Sequence, residues 1–320
     1  MRKLVVVDSL SVNPGDLSWQ ALEAIADCSF YPQTSAEEVV DRCREAELVL
    51  TNKVMFTAEV LDQLPNLKYI GVLATGYNVV DIVAACQRGI VVTNIPTYGT
   101  ASVAQQTFAH LLNITNRVEE YANEVRQGKW TNCGSFCYWN APTVELSTLT
   151  IGIIGYGHIG KAVARIALGF GMKVLVSSSQ SPFLISSDVK LVTQEELLST
   201  ADVISLHCKL SDRTKHLIRK ETLALMKPSA ILLNMGRGEL LNETDVAEAL
   251  REGNLAAAGL DVLSQEPPAL NNPLIQAPRC YLTPHNAWSS YKARTTLIEI
   301  AVHNVAQYLN ADKIDNQIYS

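Results

Sequence analysis

Short apolar runs rich in Val, Ile and Leu recur along the chain, separated by stretches of helical periodicity. In order they are "LVVVD", "ELVLTN", "YIGVLATG", "IVVTN", "LTIGIIG", "KVLVS", "DVISLHC", "AILLNMG", "AAAGLDV" and "CYLTPH". Runs that are apolar throughout, rather than alternating, predict strands buried on both faces, and helical crossovers between them predict parallel pairing. The pattern is α/β, doubly wound. So many runs exceed one ordinary sheet, so two parallel sheets in two domains are expected. Two longer helical stretches interrupt the alternation. "TYGTASVAQQTFAHLLNITNR" carries Ser102 and Gln105 at capping-box spacing, then apolar positions at Val103, Phe108, Leu111, Leu112 and Thr115. "ARTTLIEIAVHNVAQYLN" aligns Leu297, Ile300, Ala301, Val305, Tyr308 and Leu309 on one stripe. The first is expected to lead the chain out of its first domain and the second to bring it back.

Length agrees with two domains, since 320 residues exceed the usual size of one core, although a single large α/β barrel stays open. With 48% hydrophobic residues, 18% charged residues and a net charge of -6, the chain reads as an ordinary soluble enzyme. Nothing in it calls for nucleic acid or an anionic membrane. No run reaches the roughly 18 apolar residues of a membrane span, and Asp8 interrupts the amino-terminal run before a signal-peptide core forms. The seven cysteines are scattered, and an odd count without a leader fits a reducing cytoplasm. Cys133 and Cys137 stand close together, but no second Cys or His pair completes zinc-site spacing, so no metal is expected.

The strongest local motif is "LTIGIIGYGHIGKAVARIALGFG", a strand that runs into Gly155, Gly157 and Gly160 and then into a helix. The first glycine permits a tight turn, the second lets backbone approach a pyrophosphate, and the third lets helix and strand pack closely. With both flanking elements present, the motif predicts dinucleotide binding. Three polar residues then follow successive strands: Arg237 in "GRGEL", Glu266 in "SQEPP" and His285 in "TPHNAW". Ligands bind outside the carboxyl ends of parallel strands, so all three can converge on one site. Arg237 offers a fork of donors suited to a carboxylate, His285 can exchange a proton near neutral pH, and Glu266 can orient the imidazole and counter its charge. Beside a nicotinamide they make a hydride-transfer site. Each alone reads as a surface charge or a cap; their joint placement carries the inference. His207, at the end of "DVISLHC", reads as a neighbour of the cofactor pocket, whereas His110, His158, His216 and His303 read as structural or exposed.

Through "LATGYNVVD", "GIIGYGHIG", "NMGRGELLNETDV", "GLDVLSQEPP" and "TPHNAW", in that order, the chain resembles the D-isomer-specific 2-hydroxyacid dehydrogenases over nearly its full length. The resemblance implies a Rossmann cofactor domain, residues 101–285, inserted into a discontinuous flavodoxin-like substrate domain, residues 1–100 and 286–320. It implies Arg237, Glu266 and His285 as the catalytic trio and the Leu73, Ala74, Thr75 and Gly76 loop as a substrate-carboxylate nest. Cofactor contacts are implied at Gly155, Gly157, His158, Ile159, Gly160, Ser177, Ser178, Ser179, His207, Cys208, Thr214, Met235, Gly236, Asp261 and His285. "TGYNVVD", "FCYWN" and "HNAWSS" are most similar to the glycerate dehydrogenase, or hydroxypyruvate reductase, branch, which implies glycerate and hydroxypyruvate, or glyoxylate, as substrates. Trp139 and Trp288 are then candidate substrate-pocket residues, with interface or core packing as the other reading. A homodimer through the cofactor domain is implied as well. A short-form phosphoglycerate dehydrogenase and a non-catalytic NAD(H)-sensing corepressor-like protein stay as alternatives.

Two departures stand out. Lys209 replaces the proline that the family commonly has in "HCKLSDRT", and Ser178 stands where NAD-preferring relatives carry an aspartate. Without that acid, and with no Arg following at once, "SSSQ" neither selects NAD nor captures NADP by charge. NAD is the default that the resemblance implies, with NADP accepted as well.

Overall fold

The computed structural model describes residues 1–181 and 185–319. Among them the strands are β1 (Lys3–Val6), β2 (Asp27–Phe30), β3 (Leu48–Thr51), β4 (Tyr69–Val72), β5 (Val91–Thr93), β6 (Thr150–Ile154), β7 (Lys173–Ser177), β8 (Lys190–Leu191), β9 (Val203–Leu206), β10 (Ile231–Asn234), β11 (Ala257–Leu260), β12 (Cys280–Leu282) and β13 (Gln317–Ile318). Every apolar run of the sequence forms a strand. The strands divide into two sheets, in two compact units: Met1–Gly99 with the segment from Ser289 onward, and Thr100–Trp288.

In the first unit the order is β13-β5-β4-β3-β1-β2. β1 to β5 pair in parallel and β13 joins antiparallel at the β5 edge. The parallel order 2-1-3-4-5 is flavodoxin-like and reverses between β1 and β3. Val5, Val49, Ile70 and Val92 build one core face. The helix Tyr291–Leu309 buries Leu297, Ala301 and Val305, the centre of the stripe legible in the sequence, while Ile300, Tyr308 and Leu309 are half-buried. Ser290 caps it, accepting from Ala293 N–H at 3.3 Å. One cation is buried with it: Arg294 donates from Nη1 and Nη2 to the two carboxylate oxygens of Asp16, at 2.7 and 2.6 Å. The bidentate pair ties the amino-terminal segment to this late helix.

In the second unit the order is β12-β11-β10-β9-β6-β7-β8, parallel throughout. Counted from β6 this is 3-2-1-4-5-6 with β12 added, the Rossmann order, and it reverses between β6 and β9. Both sheet faces are covered: Ile154, Leu206, Leu232 and Leu260 lie in one core with Val246 and Leu250, and Ile151, Ile153, Val176 and Leu233 lie in another with Val103, Phe108 and Val163. Coverage on both faces is why the strands read as unbroken apolar runs.

Ser102 does not cap the helix Thr100–Asn116. The helix begins two residues earlier, so Ser102 lies inside its first turn, and its hydroxyl donates instead to Ala287 O at 2.6 Å. The strands absent from the sequence reading, β2, β8 and β13, are sheet edges or two-residue ladders. β2, "DCSF", has a half-exposed pattern and no apolar run to announce it.

Arg294 holds the Asp16 carboxyl below the ordinary aspartate range, its hydrogen bond being the largest cause. A depressed acid stabilises the fold at neutral pH and loses that contribution as the pH falls through its folded-state value. Asp16→Asn is therefore expected to lower the Tm at pH 7, with the gap to the parent closing as the pH drops below the ordinary aspartate value. A gap independent of pH in a melting series would show that the pair does not act through charge.

Candidate active site

The glycine turn follows β6. Gly155 has φ +95°, and a Cβ there would lie 2.4 Å from Cys208 N and 2.6 Å from His207 C, so the turn presses against the backbone leaving β9. At Gly160 a Cβ would stand 2.1 Å from Gly155 O, which fixes the close approach of helix and strand. At Gly157 it would meet nothing within 4 Å. The middle glycine therefore faces open space where the outer two are hemmed in. Gly157 also stands at the N-cap of the helix His158–Gly169 and gives no side-chain cap. The bond from Lys161 N–H to Gly157 O, at 2.9 Å, opens the helical ladder, so the amides of His158, Ile159 and Gly160 precede it. Open space before uncapped amides fits the pyrophosphate of a dinucleotide.

His285 lies beyond β12 with φ +52°, a left-handed backbone that needs outside support. Its N–H donates to Asp261 O at 2.8 Å and to Thr283 O at 3.0 Å. The Asp261 carboxylate, 1% exposed at the end of β11, accepts from Thr283 Oγ1 at 2.6 Å, Asn286 N at 3.0 Å and Ala287 N at 2.8 Å. The loop on both sides of His285 is thus clamped to one buried acid. Since the Thr283 hydroxyl hydrogen goes to Asp261, the His110 Nε2 at 3.1 Å must donate to the Thr283 oxygen, which assigns the His110 tautomer. Burial pushes the His110 pKa down, in keeping with a neutral ring. The Trp288 indole N–H donates to His285 O at 2.9 Å.

On the imidazole itself, Nδ1 meets Glu266 Oε2 at 2.5 Å. Glu266 Oε1 accepts from Leu263 N–H at 3.1 Å, so the acid is aimed by its own loop. The ring is held through one nitrogen, leaving Nε2 as the nitrogen not engaged with Glu266. This is a proton-exchange pair of the kind used in general acid–base chemistry.

Arg237 follows β10. Buried Asn234 organises that turn, accepting from Gly236 N–H at 3.0 Å and donating to Arg237 O at 2.8 Å. The guanidinium is on the exposed side, with Nη1 donating to Gly236 O at 2.8 Å. Gly238, next in the chain, packs directly on the loop that bears Glu266: a Cβ there would lie 1.9 Å from Leu263 C and 2.2 Å from Ser264 N. Glu243 secures the same loop, accepting from Ser264 N at 2.6 Å and Asn272 Nδ2 at 2.7 Å. The structure therefore brings the Arg237 and Glu266 loops into backbone contact, and Glu266 onto His285.

A model of the "D-isomer specific 2-hydroxyacid dehydrogenase, NAD binding domain" matches residues 108–287, more than half of the chain. The chain belongs to the D-isomer-specific 2-hydroxyacid dehydrogenase family. It is 45% identical over 317 residues to a hydroxypyruvate reductase of Blautia hydrogenotrophica, covering 98% of each chain. A glycerate dehydrogenase of Methylorubrum extorquens is 41% identical over 275 residues, covering 85% of this chain and 86% of that one. A solved protein of Thermus thermophilus superposes with a TM-score of 0.87 at 34% identity, covering 100% of both. All the residues that this NAD-binding-domain model matches lie in the second unit.

The other residues expected in the dehydrogenase site have definite positions. Met235 is buried and Gly236 half-buried in the Asn234 turn. His207 is hydrogen-bonded through Nε2 to Ser205 Oγ at 2.7 Å, and desolvation pushes its pKa down to about 4, so it stays neutral at physiological pH. The backbone of Cys208 packs under Gly155. Thr214 uses its hydroxyl to close a turn, donating to Lys209 O at 2.7 Å and accepting from Ser211 N at 2.8 Å, and Lys209 is exposed. Asp261 has both oxygens committed to protein donors, the geometry of a strand-end anchor. In the first unit, Leu73 N–H is spent on Thr51 O at 2.7 Å, and Ala74, Thr75 and Gly76 follow it beyond β4. Asn94 Nδ2 and the Thr75 hydroxyl brace that loop, donating to Thr75 O and Ile95 O, each at 2.8 Å. Trp139 is 72% exposed, whereas Trp288 packs against the core. Ser177, Ser178 and Ser179 occupy the end of β7 and the turn after it.

The sequence reading does not single out Asn234, Gly238, Glu243 or Thr283. Each has a signal: a polar residue closing an apolar strand, a second glycine after Arg237, a helix-start acid, and a threonine two before His285. Gly238→Ala forces its methyl into the 263–264 backbone and is expected to cost about 1–3 kcal/mol as overpacking. A lower Tm with at least about a tenfold loss of kcat/KM is the expected result, from paired melting and rate measurements. Full activity in a folded variant would show that the Arg237 and Glu266 loops need no such contact.

Proposed function

We propose that this dehydrogenase reduces hydroxypyruvate to D-glycerate and takes glyoxylate as a second, smaller keto acid. Its main support is the contact of His285 Nδ1 with Glu266 Oε2 at 2.5 Å, which fixes an imidazole for proton transfer in a nicotinamide-binding fold. The names of the Blautia and Methylorubrum relatives point to the three-carbon substrate.

In the direction of reduction, His285 gives a proton from Nε2 to the keto oxygen and Glu266 keeps the ring in register through Nδ1. Arg237 binds the substrate carboxylate with its planar fork. The amides of Ala74, Thr75 and Gly76 act as a nest for the same class of anion. Gly155, Gly157, His158, Ile159 and Gly160 hold the cofactor pyrophosphate, Ser177, Ser178 and Ser179 the ribose, and Met235, Gly236 and the His207–Cys208 segment line the pocket. When bound there, a nicotinamide cofactor would supply the hydride chemistry. Residues 101–285 serve as the cofactor domain, and residues 1–100 with 286–320 as the substrate domain.

The enzyme works as a homodimer in the cytoplasm. An apolar groove between the helices Thr100–Asn116 and His158–Gly169, about 690 Å³ and lined by Ala104, Phe108, Ala162, Ile166 and Phe170, offers a surface for a second copy. Phe136 and Trp139, 87% and 72% exposed, extend the same kind of surface, with Trp139 reaching for substrate across the dimer. The free cysteines suit a reducing compartment.

An initial-rate screen of hydroxypyruvate, glyoxylate, pyruvate and phosphohydroxypyruvate with NADH and NADPH is expected to give hydroxypyruvate the highest kcat/KM. Preference for phosphohydroxypyruvate, or no turnover at all, would overturn the assignment. His285→Ala is expected to lower kcat by about 10²–10⁴-fold with NADH affinity kept; joint loss of affinity would make the residue structural. Sedimentation should give twice the chain mass, and a monomer at working concentration would remove the role given to Trp139.

A further inference from the structure

The helix Thr100–Asn116 carries polar residues at Ser102, Gln106 and His110, four apart, so that they share one stripe beside the apolar positions Val103, Phe108 and Leu111. Each meets the segment that bears His285. The Ser102 hydroxyl donates to Ala287 O at 2.6 Å, Gln106 Nε2 stands 3.5 Å from Thr283 Oγ1, and His110 Nε2 donates to the same oxygen at 3.1 Å. Thr283 passes the contact on: its hydroxyl donates to Asp261 Oδ1 at 2.6 Å, and its main-chain oxygen accepts from His285 N–H at 3.0 Å. A threonine hydroxyl has one hydrogen and two acceptor positions, so with the hydrogen on Asp261 its oxygen is open only to donors. Buried His110 supplies one. The sheet makes room for it: a Cβ at Gly259 on β11 would lie 2.8 Å from His110 Cβ and 3.0 Å from His110 Cγ. A side chain at 259 would have to displace the imidazole that reaches Thr283.

We propose that His110 is a positioning residue for proton transfer: its Nε2–H fixes the Thr283 hydroxyl on Asp261, and through Thr283 it holds the main chain that presents His285. The inference rests on His285 as the proton donor of the proposed reduction and adds the residue, on a different element, that steadies it. Ser102 pins the far end of the same segment, so the stripe grips the chain on both sides of the imidazole. Without the His110 hydrogen, the Thr283 oxygen keeps only the more distant Gln106 amide, and its hydroxyl is free to turn from Asp261. His285 then loses its register with the keto oxygen, while the glycine turn and the Arg237 turn rest on other contacts. The role of His110 therefore falls on the chemical step and spares the binding of substrate and cofactor.

The test compares the full-length wild-type protein with His110→Leu and His110→Gln. It reads the single-turnover rate of hydroxypyruvate reduction, the KM for hydroxypyruvate, the Kd of NADH by fluorescence titration, and a melting curve for each. Leu fills the space without a donor, whereas Gln places an N–H as many bonds from the backbone as the imidazole Nε2. His110→Leu is expected to slow the single turnover by at least about fivefold, the scale of one lost hydrogen bond. Its KM and NADH Kd are expected to stay within about twofold of wild type, since no binding group is touched. His110→Gln is expected to turn over within about twofold of wild type, because the donor is back in place. A wild-type rate in His110→Leu overturns the proposal, and so does a loss in His110→Gln equal to that in His110→Leu, or a fall in NADH affinity alongside the rate. If His110→Leu does not fold, Thr283→Ser and Thr283→Val take its place: the hydroxyl kept in Ser is expected to hold the rate and its removal in Val to lower it, and equal rates in the two overturn the proposal. Wild-type protein that turns over neither hydroxypyruvate nor glyoxylate would overturn the assigned reaction itself, an outcome separate from any difference among the variants.

Discussion

The Asp261 carboxylate is the constraint on which the segment bearing His285 depends. It sits at the end of β11, where a strand carries it out of the core, and it is almost wholly buried. A buried carboxylate is tolerable only when donors surround it. Here the donors are the Thr283 hydroxyl and the amides of Asn286 and Ala287, which lie on both sides of His285. The main-chain oxygen of the same residue takes His285 N–H. The need to satisfy one buried acid thereby shapes the segment that presents the imidazole, including its left-handed backbone.

Around that anchor the site is assembled by backbones that touch where no side chain intervenes. Gly155 rests against the chain leaving β9, Gly160 against Gly155, and Gly238 against Leu263 and Ser264. The first and last of these contacts join loops that lie far apart in sequence. The Glu266 loop receives the Arg237 turn through Gly238, and Glu243 and Leu263 keep its carboxylate aimed at His285. Rigid loops of this kind suit chemistry in which a misplaced donor costs rate steeply.

Much of this was legible in the sequence because the relevant physics is local. Strands covered on both faces must be apolar throughout, so β3, β4, β9, β10 and β11 announced themselves, and the glycine turn announced the nucleotide. Edge strands such as β2 bury too little to leave a pattern. Ser102 had the spacing of a cap but not its backbone position, and its partner Ala287 lies far along the chain. The role of Thr283 was hidden for the same reason: its partner Asp261 lies on another loop, and local spacing does not carry that information. The resemblance to the family implies Asp261 as a cofactor contact; its role as the anchor beneath His285 comes from its surroundings in the fold.

The Ser102 bond to Ala287 has a mechanical consequence. Ser102 lies just inside the point where the chain enters the second unit, and Ala287 just before the point where it leaves. One hydroxyl thus rivets the entry of the chain to its exit, while Asp261 grips the adjoining amides. His285 stands only a few residues from that exit, on a segment held by these bonds and by the Trp288 indole N–H on His285 O. The entry and the exit of the second unit are thus fastened to each other beside His285.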